Sequence, residues 1–182
     1  MSNPFPNESG GIKMTVLLYA QPYDLAATGF YFEDAETFRT KSANLKNDYG
    51  EIVEEFEIQL IDAERLDCAF AKAWKINQAN YAAFLEAADE WDDERKTHYI
   101  IAVGECGYGH FDFVDDPDGM DITLYELSSM KELAEQFVED GLFGDIPERL
   151  QFYLDYDAIA RELAMDYTET EIAGTSLIYR CG

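Results

Sequence analysis

Basic residues are scarce in this sequence. It has 13 Lys and Arg against 38 Asp and Glu, a formal net charge of −25 over 182 residues. Direct binding to nucleic-acid phosphates requires clustered Lys and Arg, so a nucleic-acid-binding protein is excluded. Attraction to an anionic membrane surface is disfavoured for the same reason. The hydrophobic content of 47% is sufficient for a folded core, so the charge imbalance does not indicate disorder.

Cysteines and long apolar runs are also scarce. Cys68, Cys106 and Cys181 are odd in number and lack CxxC spacing, so neither a disulfide framework nor a zinc ribbon is expected. No apolar run approaches the length of a membrane span, and residues 1–13 contain no apolar signal segment. We therefore expect a cytoplasmic protein without metal or cofactor, with residues 1–13 as a flexible arm.

Hydrophobic periodicity predicts an α+β fold, arranged as an elongated chain of small subdomains. We expect an N-terminal α+β unit at 14–61, a mainly helical unit at 62–104 and a C-terminal α+β unit at 105–182. The first unit is predicted to hold the strands "MTVLLYA", "FYF" and "EEFEIQL", with a helix from about Glu36 to Lys46. Two helices follow, with Asp62 and Asn77 as N-caps and both tryptophans in the core.

The C-terminal half is predicted to begin with two strands, "THYIIAV" and "GHFDFVDD", joined by a flexible glycine-bearing connection. A "DPDG" turn leads into the strand "MDITLYEL". Ser129 and Glu132 form a capping box for an amphipathic helix that ends at Gly141. Pro147 begins the helix "PERLQFYL", Asp155 or Asp157 begins another, and "TSLIYR" closes the chain as a strand.

Two stretches invite a chemical interpretation that their spacing does not support. In "DDPDGMD", aligning Gly119 with the EF-hand glycine places Val114 and Tyr125 at the first and last ligand positions, where oxygen ligands are needed. "GECGYGH" matches no phosphate loop and supplies at most two soft metal ligands. Choosing a catalytic pair among 38 acidic residues is arbitrary, because catalysis needs a few groups in distinct environments. An enzyme is not expected.

The abundant carboxylates suggest a function of their own. Their spacing is about 6.6 Å at i, i+2 on a strand and about 5–6 Å at i, i+3 or i, i+4 on a helix, comparable with one or two base-pair rises of about 3.4 Å. Such a surface resembles a ladder of DNA phosphates and can compete for a basic DNA-binding groove. The carboxylates assigned to it are Glu55, Glu57, Asp115, Asp116, Asp118, Asp121, Glu132, Glu135, Glu139, Asp155, Asp157 and Glu162.

Charge alone leaves other interpretations open. The acidic surface is also compatible with general solubility, with adaptation to high salt, or with a binding module for another basic protein, such as a transcription regulator or nucleoid protein. An acid-surfaced enzyme or metal binder is a third class.

One segment carries a more specific resemblance. "EDGLFGDIPERLQFYLDYDAIARELAMD" resembles the signature of the ArdA antirestriction family, with matches at Gly144, Pro147, Leu150, Tyr153, Asp155, Tyr156, Ala158, Arg161 and Leu163. "MTVLLYAQPYDLAATGFYF" and "EEFEIQLID" resemble the family's opening strands and its acidic third strand. The resemblance implies a DNA mimic, carried by mobile elements or phages, that binds type I restriction-modification enzymes. It also implies an elongated three-part α+β fold and a homodimer whose contact lies near the signature. Leu150, Tyr153 and Tyr156 are expected to be core or dimer contacts, because apolar area builds interfaces.

Overall fold

The structure is a computed structural model that describes residues 15–182. The strands in this range are β1 (Leu17–Pro22), β2 (Phe30–Phe32), β3 (Phe56–Asp62), β4 (Ile122–Tyr125), β5 (Thr168–Ile172) and β6 (Thr175–Cys181). The helices are α1 (Ala35–Asn44), α2 (Arg65–Trp74), α3 (Tyr81–Glu90), α4 (Asp93–Tyr99), α5 (His110–Asp115), α6 (Met130–Glu139), α7 (Glu148–Gln151) and α8 (Tyr156–Leu163). A π-helix spans Ile100–Glu105 and a 3₁₀ turn spans Pro117–Gly119.

The chain folds into two compact units. The first comprises the described residues up to Glu64 together with Asn77–Glu86, and the second comprises Arg65–Ile76 and Ala87–Gly182. Each contains one small antiparallel sheet of three strands, and helices lie between the sheets in sequence. The α+β class predicted from the sequence is confirmed. The division at 14–61, 62–104 and 105–182 stays a prediction.

The first unit is built around an antiparallel sheet in the order β2-β1-β3. Asp34 caps α1 by accepting a 2.7 Å hydrogen bond from the Thr37 N–H. The buried ring of Phe38 on this helix lies 5.0 Å from that of Phe32 and 4.4 Å from that of Tyr81. Edge and tilted aromatic contacts of this kind stabilise the core beyond the area they bury.

The second unit begins with a helical part in which α2, α4 and the π-helix pack against one another. Its core is aromatic: the Tyr99 ring lies 5.2 Å from those of Phe70, Trp74 and Phe113. A buried ion pair crosses this part, with Lys96 Nζ 2.6 Å from Asp67 Oδ1 and the two side chains 4% and 3% exposed. The same ammonium donates a 2.7 Å hydrogen bond to the Ala88 carbonyl.

The C-terminal part of the second unit is an antiparallel sheet in the order β4-β6-β5, with α6 packed against α8. Met130, Leu133 and Phe137 on α6 form a cluster with Ile178 on β6. The helix begins as predicted, because Ser129 Oγ accepts a hydrogen bond from the Glu132 N–H at 3.3 Å. β5 was not predicted from the sequence.

Two predicted strands are wrong, because "THYIIAV" and "GHFDFVDD" are largely helical. Asp92 caps α4 by accepting a 2.8 Å hydrogen bond from the Arg95 N–H, and α4 continues directly into the π-helix. Tyr99, Ile100 and Ile101 are all buried, whereas a strand with one buried face would alternate.

Other predicted boundaries also need correction. Asp62 is the last residue of β3 rather than an N-cap. The helix predicted from Pro147 through Leu154 is confined to α7. The predicted arm at residues 1–13 lies outside the described residues.

The expectation that the cysteines build no disulfide framework needs a correction, because one disulfide is present. Cys106 and Cys181 are bonded, with Cα atoms 5.7 Å apart, and Cys68 is not part of a disulfide. The partners are 75 positions apart in sequence, so only the tertiary fold brings them together, and an odd total leaves room for one pair.

Candidate functional site

The twelve carboxylates assigned from the sequence are all solvent-exposed in the structure. On β3, Glu57 is exposed while Phe56 and Ile58 are 3% and 7% exposed. The same alternation leaves Glu55 exposed immediately before the strand. Period-two alternation therefore keeps the β3 carboxylates in water, as the sequence predicted.

A second group of carboxylates surrounds the turn before β4. Asp115 ends α5, and Asp118 lies within the 3₁₀ turn. Asp116 accepts a hydrogen bond at Oδ1 from the Gly119 N–H at 3.1 Å, and the Asp121 carbonyl accepts one from the Gly182 N–H at 2.8 Å. Among residues 15–182, no three or more His, Cys, Asp or Glu are grouped so as to hold a metal ion.

The third group lies on α6 and α8, which pack together. Glu132, Glu135 and Glu139 are exposed on α6, opposite its buried apolar residues. Asp157 on α8 lies 3.4 Å from Lys131 Nζ on α6, so an exposed ion pair joins the two helices. Glu162 is also exposed on α8.

Several of these carboxylates also have a local structural role. Asp155 caps α8 by accepting a 2.9 Å hydrogen bond from the Ala158 N–H. Glu132 accepts one from the Ser128 N–H at 2.8 Å. Carboxylates near a helix N-terminus satisfy backbone donors and the helix dipole. Part of the negative charge is therefore accommodated where it stabilises helices.

The signature residues fall into a half-buried and an exposed set. Leu163 packs against the α6–β6 cluster, next to Ala160, while Tyr156 and Ala158 are half-buried and Arg161 is exposed. Gly144 adopts a positive φ of 87° that favours glycine, and Pro147 precedes α7 as its N-cap residue.

Large apolar side chains are exposed within the signature. Leu150 and Tyr153 are 47% and 86% exposed, so the chain alone does not bury them in its core. Nearby in sequence, four more apolar residues are exposed: Leu142, Phe143, Phe152 and Met165. We call these six side chains the apolar set. The four additional members were not assigned from the sequence; their clustering in residues 142–165 is the signal that could have found them.

The histidine-bearing connection belongs to the helical core. His110 Nδ1 lies 2.9 Å from Tyr99 Oη, and its ring lies 4.4 Å from that of Trp74. Burial lowers the pKa of His110 and raises the pKa of Tyr99 to about 12. This packing accounts for His110 without a chemical role.

These features define the chain as an acidic α+β protein with exposed carboxylates on several elements and an exposed apolar segment. The family model described as antirestriction protein (ArdA) matches residues 24–175, and the chain belongs to that family. A search of curated proteins found no match. No helix among the described residues is long and apolar enough to cross a membrane.

Proposed function

We propose that this antirestriction protein is a non-enzymatic DNA mimic that occupies the DNA-binding groove of a type I restriction-modification enzyme. The observation that supports this proposal is the exposure of all twelve assigned carboxylates. Because these carboxylates face water, they are available to the Lys and Arg side chains of a DNA-binding groove.

The regular spacing of the carboxylates favours a DNA-binding groove as their partner over a general, unspecific role of the negative charge. Glu55 and Glu57, just before and within β3, are exposed two residues apart. Glu132, Glu135 and Glu139 recur every third or fourth residue along α6. These intervals correspond to about 5–7 Å, within one or two phosphate spacings of a DNA strand. A rigid secondary structure holds this spacing without further ordering on binding, which lowers the entropic cost of association.

The proposed active form is a homodimer that acts in the cytoplasm. The apolar set supports dimerisation, because large exposed apolar side chains are concentrated in residues 142–165, and exposed apolar surface beyond scattered single residues commonly marks an interaction site. Carboxylates cannot build that contact between identical chains, since each chain repels its copy. Apolar contact through the signature would leave the carboxylates beside β3, before β4 and on α6 free for the enzyme.

The experiment adds the purified protein to a type I enzyme and a duplex containing its recognition site. We expect loss of DNA binding and of cleavage, and direct binding of the protein to the enzyme that weakens as salt screens the charges. Unchanged DNA binding and cleavage at low salt would refute the proposal. Binding to an unrelated basic DNA-binding protein with equal affinity would favour the general acidic module instead.

A charge variant makes this experiment sharper. Replacing Glu135, Glu139 and Glu162 together by Gln removes three exposed carboxylates for which the structure gives no side-chain hydrogen bond. At about 0.2–1 kcal/mol for each exposed charge pair, affinity for the enzyme should fall about 3- to 150-fold. The matched control replaces the same residues by Asp, which keeps the charge. Equal losses in both variants would contradict an electrostatic role.

A further inference from the structure

The disulfide between Cys106 and Cys181 joins two parts of the second unit that have separate cores. Cys106 directly follows the π-helix, and its N–H donates a 2.8 Å hydrogen bond to the Ile101 carbonyl. Cys181 is the last residue of β6 and pairs with Ile122 of β4. The helical part packs around Tyr99, whereas the sheet packs with α6 around Leu133. The bond is therefore a covalent link between these parts.

Both residues of the disulfide are at least partly exposed to solvent. Cys181 is exposed and Cys106 is half-buried. Exposed glycines flank Cys106 at 104 and 107, and Gly107 has a φ of 78°. Thiol–disulfide exchange requires a thiolate to reach a disulfide sulfur, so exposure decides whether it can occur. A solvent-accessible pair at the end of a strand meets this requirement.

We propose that Cys106 and Cys181 form a reversible thiol–disulfide site, whose redox state decides whether the C-terminal sheet is covalently held to the helical part. The co-reactant class is a small-molecule disulfide, for which oxidised glutathione is the probe. One cysteine thiolate attacks its sulfur and releases one glutathione thiol, and the other cysteine then attacks the mixed disulfide and releases the second. Two electrons and two protons pass from the cysteines to the glutathione disulfide.

Reduction removes the link without removing the structure on either side. The Gly182 N–H still donates to the Asp121 carbonyl, which keeps the end of β6 beside β4. The Tyr108 N–H still donates to the Ala102 carbonyl at 2.9 Å, which keeps the end of the π-helix closed. Tyr179 on β6 and Glu105 of the π-helix also interact between the two parts, since burial and then the Glu105 carboxylate raise the pKa of the Tyr179 hydroxyl.

The first test counts thiols in a Cys68→Ser variant, in which only this pair remains. The folded variant is equilibrated in glutathione buffers, its free thiols are alkylated, and its mass is measured by mass spectrometry. We expect two alkylated thiols in excess reduced glutathione, none in excess oxidised glutathione, and the same midpoint from both directions. Two free thiols in excess oxidised glutathione, or a bond that reduced glutathione does not open in the folded protein, would overturn the proposal.

The second test measures amide hydrogen exchange in both redox states. Residues 104–109 and 177–182 should exchange about tenfold faster or more after reduction, because their remaining hydrogen bonds break transiently more often once the covalent link is gone. β1–β3 of the first unit should not change. The double variant Cys106→Ser/Cys181→Ser should match the reduced protein in both buffers. Equal exchange in the two states would refute the structural consequence. Both tests use the protein alone, so failure of the proposed inhibitory function leaves their outcome unaffected.

Discussion

Replacing Lys96 by Met should strongly destabilise the second unit. The Lys96 ammonium is the partner of the Asp67 carboxylate at 2.6 Å, and both side chains are almost completely buried. Met has a similar length and no charge, so the variant leaves Asp67 without this partner in an apolar environment. It also removes the donor that the Ala88 carbonyl accepts at 2.7 Å.

The size of the loss in unfolding free energy depends on which member of the ion pair remains buried without its partner. Removing one member of a buried ion pair costs about 3–5 kcal/mol, because the remaining charge is uncompensated. With a urea dependence of about 2 kcal/mol/M, the unfolding midpoint of this unit should fall by about 1.5–2.5 M. The Lys96→Met/Asp67→Leu variant should recover at least half of this loss, since an apolar pair of similar volume needs no charge compensation.

The assay is urea unfolding followed by tryptophan fluorescence. Trp74 and Trp91 lie in the same helical part, with ring centroids 5.8 Å apart, so their emission reports on this unit. Lys72→Met, at an exposed position on α2, is the matched control and should change the unfolding free energy by less than about 0.5 kcal/mol. A loss of under about 1 kcal/mol in Lys96→Met, or no recovery in the double variant, would refute the reasoning.

Two further predictions concern association and pH. Leu150→Ala combined with Tyr153→Ala should weaken dimerisation at least tenfold by sedimentation, whereas Tyr49→Ala, at an 81% exposed tyrosine of the first unit, should not; equal effects would contradict a dimer contact through the signature. Burial lowers the pKa of His110, so its contribution to stability is present above about pH 6.5 and is lost as pH falls through the lowered value. The wild-type unfolding free energy should therefore fall more between about pH 7 and 5 than that of His110→Phe, and parallel pH profiles would contradict this cause.

The sequence alone predicted the structure correctly where a local pattern of residues determines it. The alternation of Glu55, Phe56, Glu57 and Ile58 identified β3 and its exposed face. The Ser129 cap and the apolar spacing that follows it identified α6. In both cases the side chains that decide the structure lie within a few positions of one another.

The sequence was insufficient where distant residues decide the structure. "THYIIAV" is rich in aromatic and β-branched residues, which favour strands. In the fold, however, the Asp92 cap and the contact between Lys96 and Asp67 place this segment against α2 as a helix. The Cys106–Cys181 bond depends on the same tertiary arrangement. Hydrophobicity alone predicts that the apolar set is buried; the clustering of its members in residues 142–165 marks the segment, but only the structure shows that they are exposed.

The carboxylates that cap helices and turns affect which positions a mutational screen would detect. Asp116, Glu132 and Asp155 each accept a hydrogen bond from a backbone N–H, and loss of a helix cap costs about 0.5–2 kcal/mol. Glu139 has no side-chain hydrogen bond of this kind in the structure, and its charge is one among many. A screen of single substitutions for loss of antirestriction would therefore detect the capping positions, because their loss destabilises the fold, and would miss Glu139. Such a genetic map would trace the folding requirements of the chain, and only multiple charge replacements would test the carboxylate surface proposed to bind the target.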